Sequence, residues 1–309
     1  MRAELPAHQE EVRAAVLDCL PTGPVLTHGA VAALRSRLAA RLLPVVASLG
    51  PGVEVVVDRY CLGVAACPAS GVRQPFEWTV QFATRTLGLA ALRQLPAPSF
   101  RVLDTVAVAI EDAISESRSL GRWLATQDGP TRAATVAAVA TWVARWWVAV
   151  PWPELALAHL VERPVWARPL GYGGPVVIKG RLDSVIRPAG RRPDEAVLVS
   201  LGRPNDGVQG LDVLAFALFR GFVPLRTVWV EASSGTVLAK DVDVQTLEAA
   251  SDLVVEVAIA LAGMEDGSQV AEIPGEYCWT CVCRSQCNSG IAWMAAQPRF
   301  VGGIPVAAA

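Results

Sequence analysis

The amino-acid sequence predicts an α/β (α+β) protein in which a helical N-terminal region precedes a mixed β-sheet core. Apolar residues recur at three- and four-residue spacing through most of residues 1–150, which is typical of amphipathic helices. After Pro151 the pattern changes to short extended runs rich in β-branched residues. Four of the seven cysteines then lie between Cys278 and Cys287. We therefore expect a mainly helical region over 1–150, a sheet core over 151–265, and a cysteine cluster with a tail over 266–309.

Proline, glycine and capping residues set the bounds of the predicted elements. Helices are predicted over 10–20, 28–49, 76–95, 100–125, 131–148, 210–220 and 244–263. Strands are predicted over 53–57, 165–170, 176–187, 196–201 and 226–231. We expect Pro44 to kink or end the second helix, Thr131 to cap the fifth and Asp243 to cap the last.

The composition is that of a globular protein without an excess of basic residues. Apolar residues make up 52% and charged residues 18%, and the formal net charge is -2. DNA contact therefore requires a local basic surface. The N-terminal residues are charged where an export signal needs an apolar core, and the most apolar window, 133–152, contains Arg145 and ends near Pro151. We expect a cytoplasmic protein that does not contact membranes.

Tryptophans form an aromatic-rich zone between the helical region and the sheet core. The zone comprises Trp142, Trp146, Trp147, Trp152 and Trp166. The i, i+4 spacing of Trp142 and Trp146 favours packing in a helical core, and a platform for base stacking is the alternative.

The cysteine segment reads C-x2-C-x5-C, formed by Cys278, Cys281 and Cys287 with Cys283 between them. Thiolates at this spacing can surround one soft metal centre, either a tetrahedral zinc ion or an iron-sulfur cluster. Buried structural cysteines or a disulfide pair are the alternative interpretation. A reducing compartment favours the metal site.

The order of elements resembles the iron-sulfur branch of the RecB-like nuclease superfamily, which includes AddB-type recombination subunits and CRISPR-associated RecB-like exonucleases. The resemblance is carried by an early Cys67-Pro68, a strand bearing G-x-x-D, a second strand, a helix and the terminal C-x2-C-x5-C. It implies a PD-(D/E)XK restriction-endonuclease-like mixed-sheet core closed by a 4Fe-4S cluster. The implied cluster ligands are Cys67, Cys278, Cys281 and Cys287. Cys61 or Cys283 is an alternative to Cys67, and zinc is an alternative to the cluster.

The resemblance also implies a catalytic site, which this chain matches only in part. Gly180-Arg-Leu-Asp183 matches the G-x-x-D motif, so Asp183 corresponds to the aspartate that binds Mg²⁺ or Mn²⁺. In the next strand Leu198 and Ser200 stand where the family has the carboxylate and the lysine of D-x-K or E-x-K. Leucine cannot bind a hard cation, and serine has no positive charge.

Two helical motifs of the family are degraded in the same way. Leu92 stands at the histidine of G-x-x-x-H, and Asp212 and Phe216 stand at the glutamine and tyrosine of Q-x-x-x-Y. Groups elsewhere offer a displaced catalytic site as an alternative. They are Lys179, Asp194, Glu195, Asp206 and Glu231, with Glu154 or His159 as a leading acid or histidine.

Together these patterns predict a catalytically degenerate RecB-like protein with a 4Fe-4S cluster. It would bind DNA, or act as a structural subunit beside a protein partner such as a helicase, in DNA repair, processing or defence. The first alternative is an active Mg²⁺- or Mn²⁺-dependent DNA exonuclease with displaced groups. The second is a metal- or redox-sensing interaction protein with no nucleic-acid role.

Overall fold

The computed structural model describes most of the chain outside a few connecting segments. The described residues are 7–17, 26, 28–49, 54–57, 78–92, 101–116, 118–150, 159–160, 165–180, 182–186, 195–201, 209–231, 235–262, 274, 278, 281, 287–296, 299–301 and 304–306. They combine helices with two small mixed sheets, which confirms the α/β class. Within these ranges, none of the helices has both the length and the hydropathy needed to span a lipid bilayer.

The predicted helices and strands occur in the predicted order. The helices are α1 (Ala7–Leu17), α2 (His28–Ser48), α3 (Val80–Leu92), α4 (Val102–Glu116), α5 (Arg118–Thr126), α6 (Gly129–Ala149), α7 (Gln209–Arg220), α8 (Val244–Ala262) and α9 (Asn288–Ala296). The strands are β1 (Val55–Val57), β2 (His159–Leu160), β3 (Val165–Ala167), β4 (Val176–Gly180), β5 (Ser184–Ile186), β6 (Val197–Leu201), β7 (Arg226–Glu231), β8 (Thr236–Asp241), β9 (Arg299–Val301) and β10 (Ile304–Val306). The structure thus adds β2, β8, α9, β9 and β10 to the predicted elements.

The consecutive strands β4 and β5 belong to two different mixed sheets. The larger sheet has the order β2-β5-β6-β7-β8, in which β6 and β7 are parallel, with α7 between them in the chain, and the other neighbours are antiparallel. The smaller sheet has the order β1-β4-β3, with β1 parallel and β3 antiparallel to β4. Because β4 ends at Gly180 and β5 begins at Ser184, the G-x-x-D segment lies where the chain passes from one sheet to the other.

Apolar cores lie on both faces of this sheet system. The first core packs α2, α7 and α8 against β1, β4 and one face of β6, and the second packs α1 and α3 to α6 against β5, β7 and the other face of β6. Side chains alternate along a strand, so Leu198 enters the first core while Val197 and Val199 enter the second. The helices of the N-terminal half therefore cover both faces.

The tryptophan pair of α6 belongs to the second core. Trp146 is buried, Trp142 is partly buried, and their ring centroids are 5.7 Å apart. Core packing is thus confirmed for these two residues. Trp152 lies outside the described residues.

The predicted N-cap of the fifth helix is wrong. α6 is capped by Asp128 and not by Thr131: the Thr131 N–H donates to Asp128 Oδ1 at 2.8 Å, and Pro130 occupies the first turn, where its fixed φ is favourable. Of the two outcomes expected at Pro44, a kink or an end, the end does not occur: α2 continues to Ser48, close to the predicted range 28–49, because burial of Leu42 and Val45 on both sides of the proline holds the helix in the first core.

The predicted helix over 100–125 is divided into α4 and α5. These two helices approach so closely that a Cβ added to Gly121 would lie 2.9 Å from Ile114 Cα. The apolar pattern of the sequence continues through the break, so the sequence alone does not indicate it.

The predicted strand over 176–187 is likewise divided, into β4 and β5, because the chain bends at the G-x-x-D segment.

The C-terminal cap of α7 joins the N-terminal half to the sheet core. His28 Nδ1 is within hydrogen-bonding distance of the Gly221 carbonyl, and the Arg35 guanidinium donates to the Leu218 carbonyl. Both contacts satisfy carbonyl groups at a helix C-terminus, where positive charge is favourable.

Candidate functional site

Asp183 lies in the bend between β4 and β5, beside the carboxyl end of β6. The residue is 8% exposed. Its Oδ1 accepts a hydrogen bond from Arg85 Nη2 at 2.8 Å, and its Oδ2 accepts one from the Leu201 backbone N–H at 2.8 Å. Each carboxylate oxygen therefore has a partner within the chain, and the guanidinium compensates the buried negative charge.

Arg85 reaches Asp183 from α3, one of the helices of the second core. Ala83, Leu87 and Leu92 are buried on α3 and fix the helix against α6, while the Arg85 side chain stays 47% exposed along its length. Arg85 is not among the site residues that the sequence motifs predict. One signal was present, since Arg85 is the only charged residue in the sequence of α3.

The D-x-K strand of the resemblance is β6, and its two key positions are filled differently. Leu198 is 2% exposed and belongs to the first core beneath α7 and α8. Ser200 is half-buried, one position before Leu201, the residue whose N–H contacts Asp183. Leu198, at the position of the family's second carboxylate, therefore contributes to packing and supplies no oxygen ligand.

The helical motif positions also contribute to packing. A Cβ added to Gly88 would lie 2.3 Å from the Trp142 ring, so α3 and α6 meet at this glycine, and Leu92 is fully buried. On α7, Phe216 is 1% exposed and meets Phe222 edge-on, with ring centroids 5.4 Å apart. These contacts account for both residues without a catalytic role.

Gly180 marks the closest approach of β4 to α7. A Cβ at this position would lie 2.9 Å from Ala215 Cβ and 3.1 Å from Asp212 Cα. The distance is shorter than side-chain contacts allow, so the close packing of strand and helix requires glycine here. The glycine of the G-x-x-D match thus has a packing role, and it brings Asp212 to the end of β4.

Among the displaced groups that the structure describes, Lys179, Glu195 and Glu231 do not gather around Asp183. Lys179 Nζ lies 5.0 Å from the centroid of the Trp166 ring, and Glu195 precedes β6 at the end opposite to Asp183. Leu201 pairs with Val230, so Glu231 lies at the same sheet edge as Asp183 but two strands away, or roughly 10 Å.

Of the other displaced groups, only His159 lies within the described residues. His159 forms the edge strand β2, opposite Val185. Glu154, Asp194 and Asp206 lie outside the described residues.

Two of the C-terminal cysteines, Cys278 and Cys287, lie close together at the start of α9. The Cys281 N–H donates to the Cys278 carbonyl at 3.2 Å, which closes a turn, and the Gly290 N–H donates to Cys287 Sγ at 3.2 Å. A Cβ added to Gly290 would lie 3.2 Å from Cys287 Sγ and 3.5 Å from Cys278 Sγ. Both sulfur atoms therefore border the same small space beside Gly290.

This arrangement fits a thiolate-bound metal group in its donor atoms and in its N–H···S hydrogen bond. Cys278 is buried, and Cys281 and Cys287 are half-buried. Within the described ranges, however, no three Cys, His, Asp or Glu side chains are close enough to hold a metal ion. Cys67 lies outside those ranges, as do Cys61 and Cys283, so the complete ligand set stays a prediction.

No protein-family model matches the sequence, and no curated protein matches it significantly. The RecB-like resemblance therefore depends on the motifs and on the order of elements alone.

Proposed function

We propose that this chain is a catalytically degenerate RecB-like protein that binds DNA, or supports a DNA-processing, repair or defence complex, and carries a 4Fe-4S cluster. The order of elements supports the proposal. The G-x-x-D segment is followed by β6, α7, β7 and the terminal cysteines, as the resemblance requires. Cys67, Cys278, Cys281 and Cys287 would hold the cluster, whose role would be architectural.

The ion pair between Asp183 and Arg85 is the observation that best supports a catalytically degenerate site. A hydrolytic metal ion needs carboxylate oxygens that can turn toward it, and usually more than one carboxylate. Here both oxygens of Asp183 bind groups of the chain, and Leu198 fills the place of the second carboxylate with a buried apolar side chain. The guanidinium supplies the positive charge that Mg²⁺ would otherwise supply.

Cleavage and binding assays on the same full-length preparation test the proposal. Purified chain, prepared anaerobically with iron and sulfide, is incubated with single- and double-stranded DNA and Mn²⁺, beside an active nuclease as a positive control. We expect no cleavage, and DNA binding that weakens steeply with salt because phosphate contacts release counterions. Cleavage that disappears in Asp183→Ala would establish an active nuclease and overturn the proposal.

A metal- or redox-sensing interaction protein is the second candidate function. It is supported by the two cysteine sulfurs that border Gly290, since paired thiols beside a helix start suit metal or redox chemistry. If the metal-loaded chain does not bind DNA even at low salt, this function replaces the first.

A further inference from the structure

The β3–β4 hairpin carries two exposed aromatic side chains on an otherwise well-packed element. Ala167 and Ile178 pair across the hairpin and are buried in the first core. Successive residues of a strand point to opposite faces, so Trp166, next to the buried Ala167, faces outward and is 46% exposed. Tyr172, in the connecting loop, is fully exposed. Neither ring contributes much to the core.

The loop that presents Tyr172 is held in one shape by hydrogen bonds. Arg168 donates from Nη1 to the Gly174 carbonyl at 2.6 Å and from Nη2 to Glu54 at 2.7 Å, which ties the loop to β1. The Gly174 N–H donates to the Gly171 carbonyl at 3.0 Å. An aromatic side chain on so constrained a loop loses little conformational entropy when a partner binds it.

Glycine on both sides of Tyr172 makes this exposure possible. Gly171 and Gly173 have φ values of +88° and +84°, a region that L side chains rarely adopt, and open space surrounds both positions. The backbone thus turns sharply around Tyr172 and leaves its ring accessible.

Trp166 is paired with a cation. Trp166 and Lys179 are cross-strand partners, and Lys179 Nζ lies 5.0 Å from the indole centroid. The ammonium group is positioned over one face of the ring, while nearly half of the side chain stays accessible. An aromatic ring beside a fixed positive charge suits a ligand that has both a flat apolar group and an anionic group.

We propose that the β3–β4 hairpin is a binding surface for single-stranded nucleic acid, on which Tyr172 and Trp166 stack with bases and Lys179 attracts the phosphate backbone. The inference deepens the proposed DNA-binding function and rests on it. A single strand fits better than a duplex because duplex bases already stack on one another. It also fits better than a protein partner, because charged residues are depleted at the centre of protein interfaces, where Lys179 would lie.

Binding of a fluorescently labelled oligothymidylate and of a matched duplex, measured by anisotropy, tests the inference. We expect Tyr172→Ala and Trp166→Ala each to weaken single-strand binding about tenfold. Tyr172→Phe keeps the ring and should bind as the wild type does. Lys179→Gln should lower the slope of log affinity against log salt by about one.

Phe219→Ala is the matched control. Phe219 is also an exposed aromatic beside a cation, with Arg220 Cζ 5.4 Å from its ring centroid, but it lies at the end of α7. Its loss should leave binding unchanged. A single strand containing 2-aminopurine gives a direct readout of stacking, because its fluorescence should be quenched by the wild type and recover in the two alanine variants.

The outcomes separate this inference from the proposed function. If the wild type binds no DNA, both the proposed DNA-binding function and the hairpin inference are overturned. If the wild type binds single strands and the two alanine variants bind equally well, only the hairpin inference is overturned. Equal loss of duplex and single-strand binding would exclude base stacking, and loss of a protein partner with DNA binding intact would assign the hairpin to that partner.

Discussion

A buried carboxylate requires a compensating positive charge, and at Asp183 that charge is the Arg85 guanidinium. In the nucleases that this segment resembles, a divalent cation serves the same purpose. Asp183 is nearly buried, so the pair interacts in a medium less polar than water, whereas Arg85 is partly solvated. The ion pair stabilises the contact of α3 with the bend between the two sheets, and it gives the aspartate a role that needs no metal.

A double-mutant cycle on this pair tests that structural role. Arg85→Met leaves a buried carboxylate with one hydrogen bond, and we expect the free energy of unfolding to fall by about 1–3 kcal/mol, less than for a fully buried pair because Arg85 is partly exposed. Asp183→Leu together with Arg85→Met should recover part of the loss. Urea denaturation measures both values.

Arg122→Met, on the exposed side of α5, is the matched control for this cycle and should change stability little. Strictly additive effects of the Arg85 and Asp183 substitutions would mean that the two side chains do not interact in solution.

Among the elements, the sequence predicted those whose pattern is local. β7 coincides with its prediction because four successive buried residues are bounded by half-buried ones, and α8 starts where Asp243 predicts. β8 was missed because most of its side chains are exposed and it is recognisable mainly by its pairing with β7. The contact of Arg85 with Asp183 spans 98 residues, so no local pattern encodes it.

The N-cap of α8 offers a test at the level of a single helix. Asp243 Oδ1 accepts hydrogen bonds from the Thr246 hydroxyl and the Thr246 N–H, both at 2.7 Å. These bonds lower the pKa of Asp243 below its ordinary value of 3.8, the hydroxyl contributing most. A lowered pKa stabilises the folded state above the unfolded-state value, and this contribution is lost as the pH falls through the folded-state value.

We therefore expect Asp243→Ala to lower the free energy of unfolding at pH 7 by about 1 kcal/mol. The deficit should shrink as the pH falls from 3.8 through the lowered folded-state pKa, because the wild type then also loses its charged cap. Asp243→Asn keeps the capping geometry without the charge, so it should stay close to wild type at pH 7 and show a flatter pH profile. Urea denaturation from pH 7 down through the folded-state pKa checks this, and a deficit that stays undiminished once Asp243 is protonated would assign the effect to something other than the ionised cap.

At the scale of the whole molecule, burial and not surface charge holds the layers together. α2 and α8 are joined by Arg41–Asp252 at 2.7 Å and Arg37–Glu248 at 3.9 Å, but all four side chains are about half exposed or more, and such pairs contribute little. The first core, by contrast, unites α2, β1, α7 and α8. Segments distant in sequence therefore depend on each other for their packing.

A metal group held by Cys67 and the C-terminal cysteines would add a second link between distant segments. Ligands from both ends of the chain would close a very long loop, so loss of the metal would destabilise the whole protein and not only the C-terminal segment. The sulfurs of Cys278 and Cys287 border Gly290, which limits what can replace that glycine. The cysteine spacing can be read directly from the sequence. The closeness of Gly290 to both sulfurs cannot, because it depends on where α9 begins.

Metal content and thermal stability, measured together on anaerobic preparations, test this link. Cys67→Ser should lower both iron and sulfide content and the melting temperature, whereas Cys283→Ser should change neither by much. Gly290→Ala should also lower metal content, because its Cβ would enter the space beside both sulfurs. Gly129→Ala, at a helix start with open space around it, is the control and should bind metal normally. Normal metal content in Cys67→Ser and loss of metal in Cys283→Ser would move the fourth ligand into the C-terminal segment, and the metal would then stabilise that segment alone.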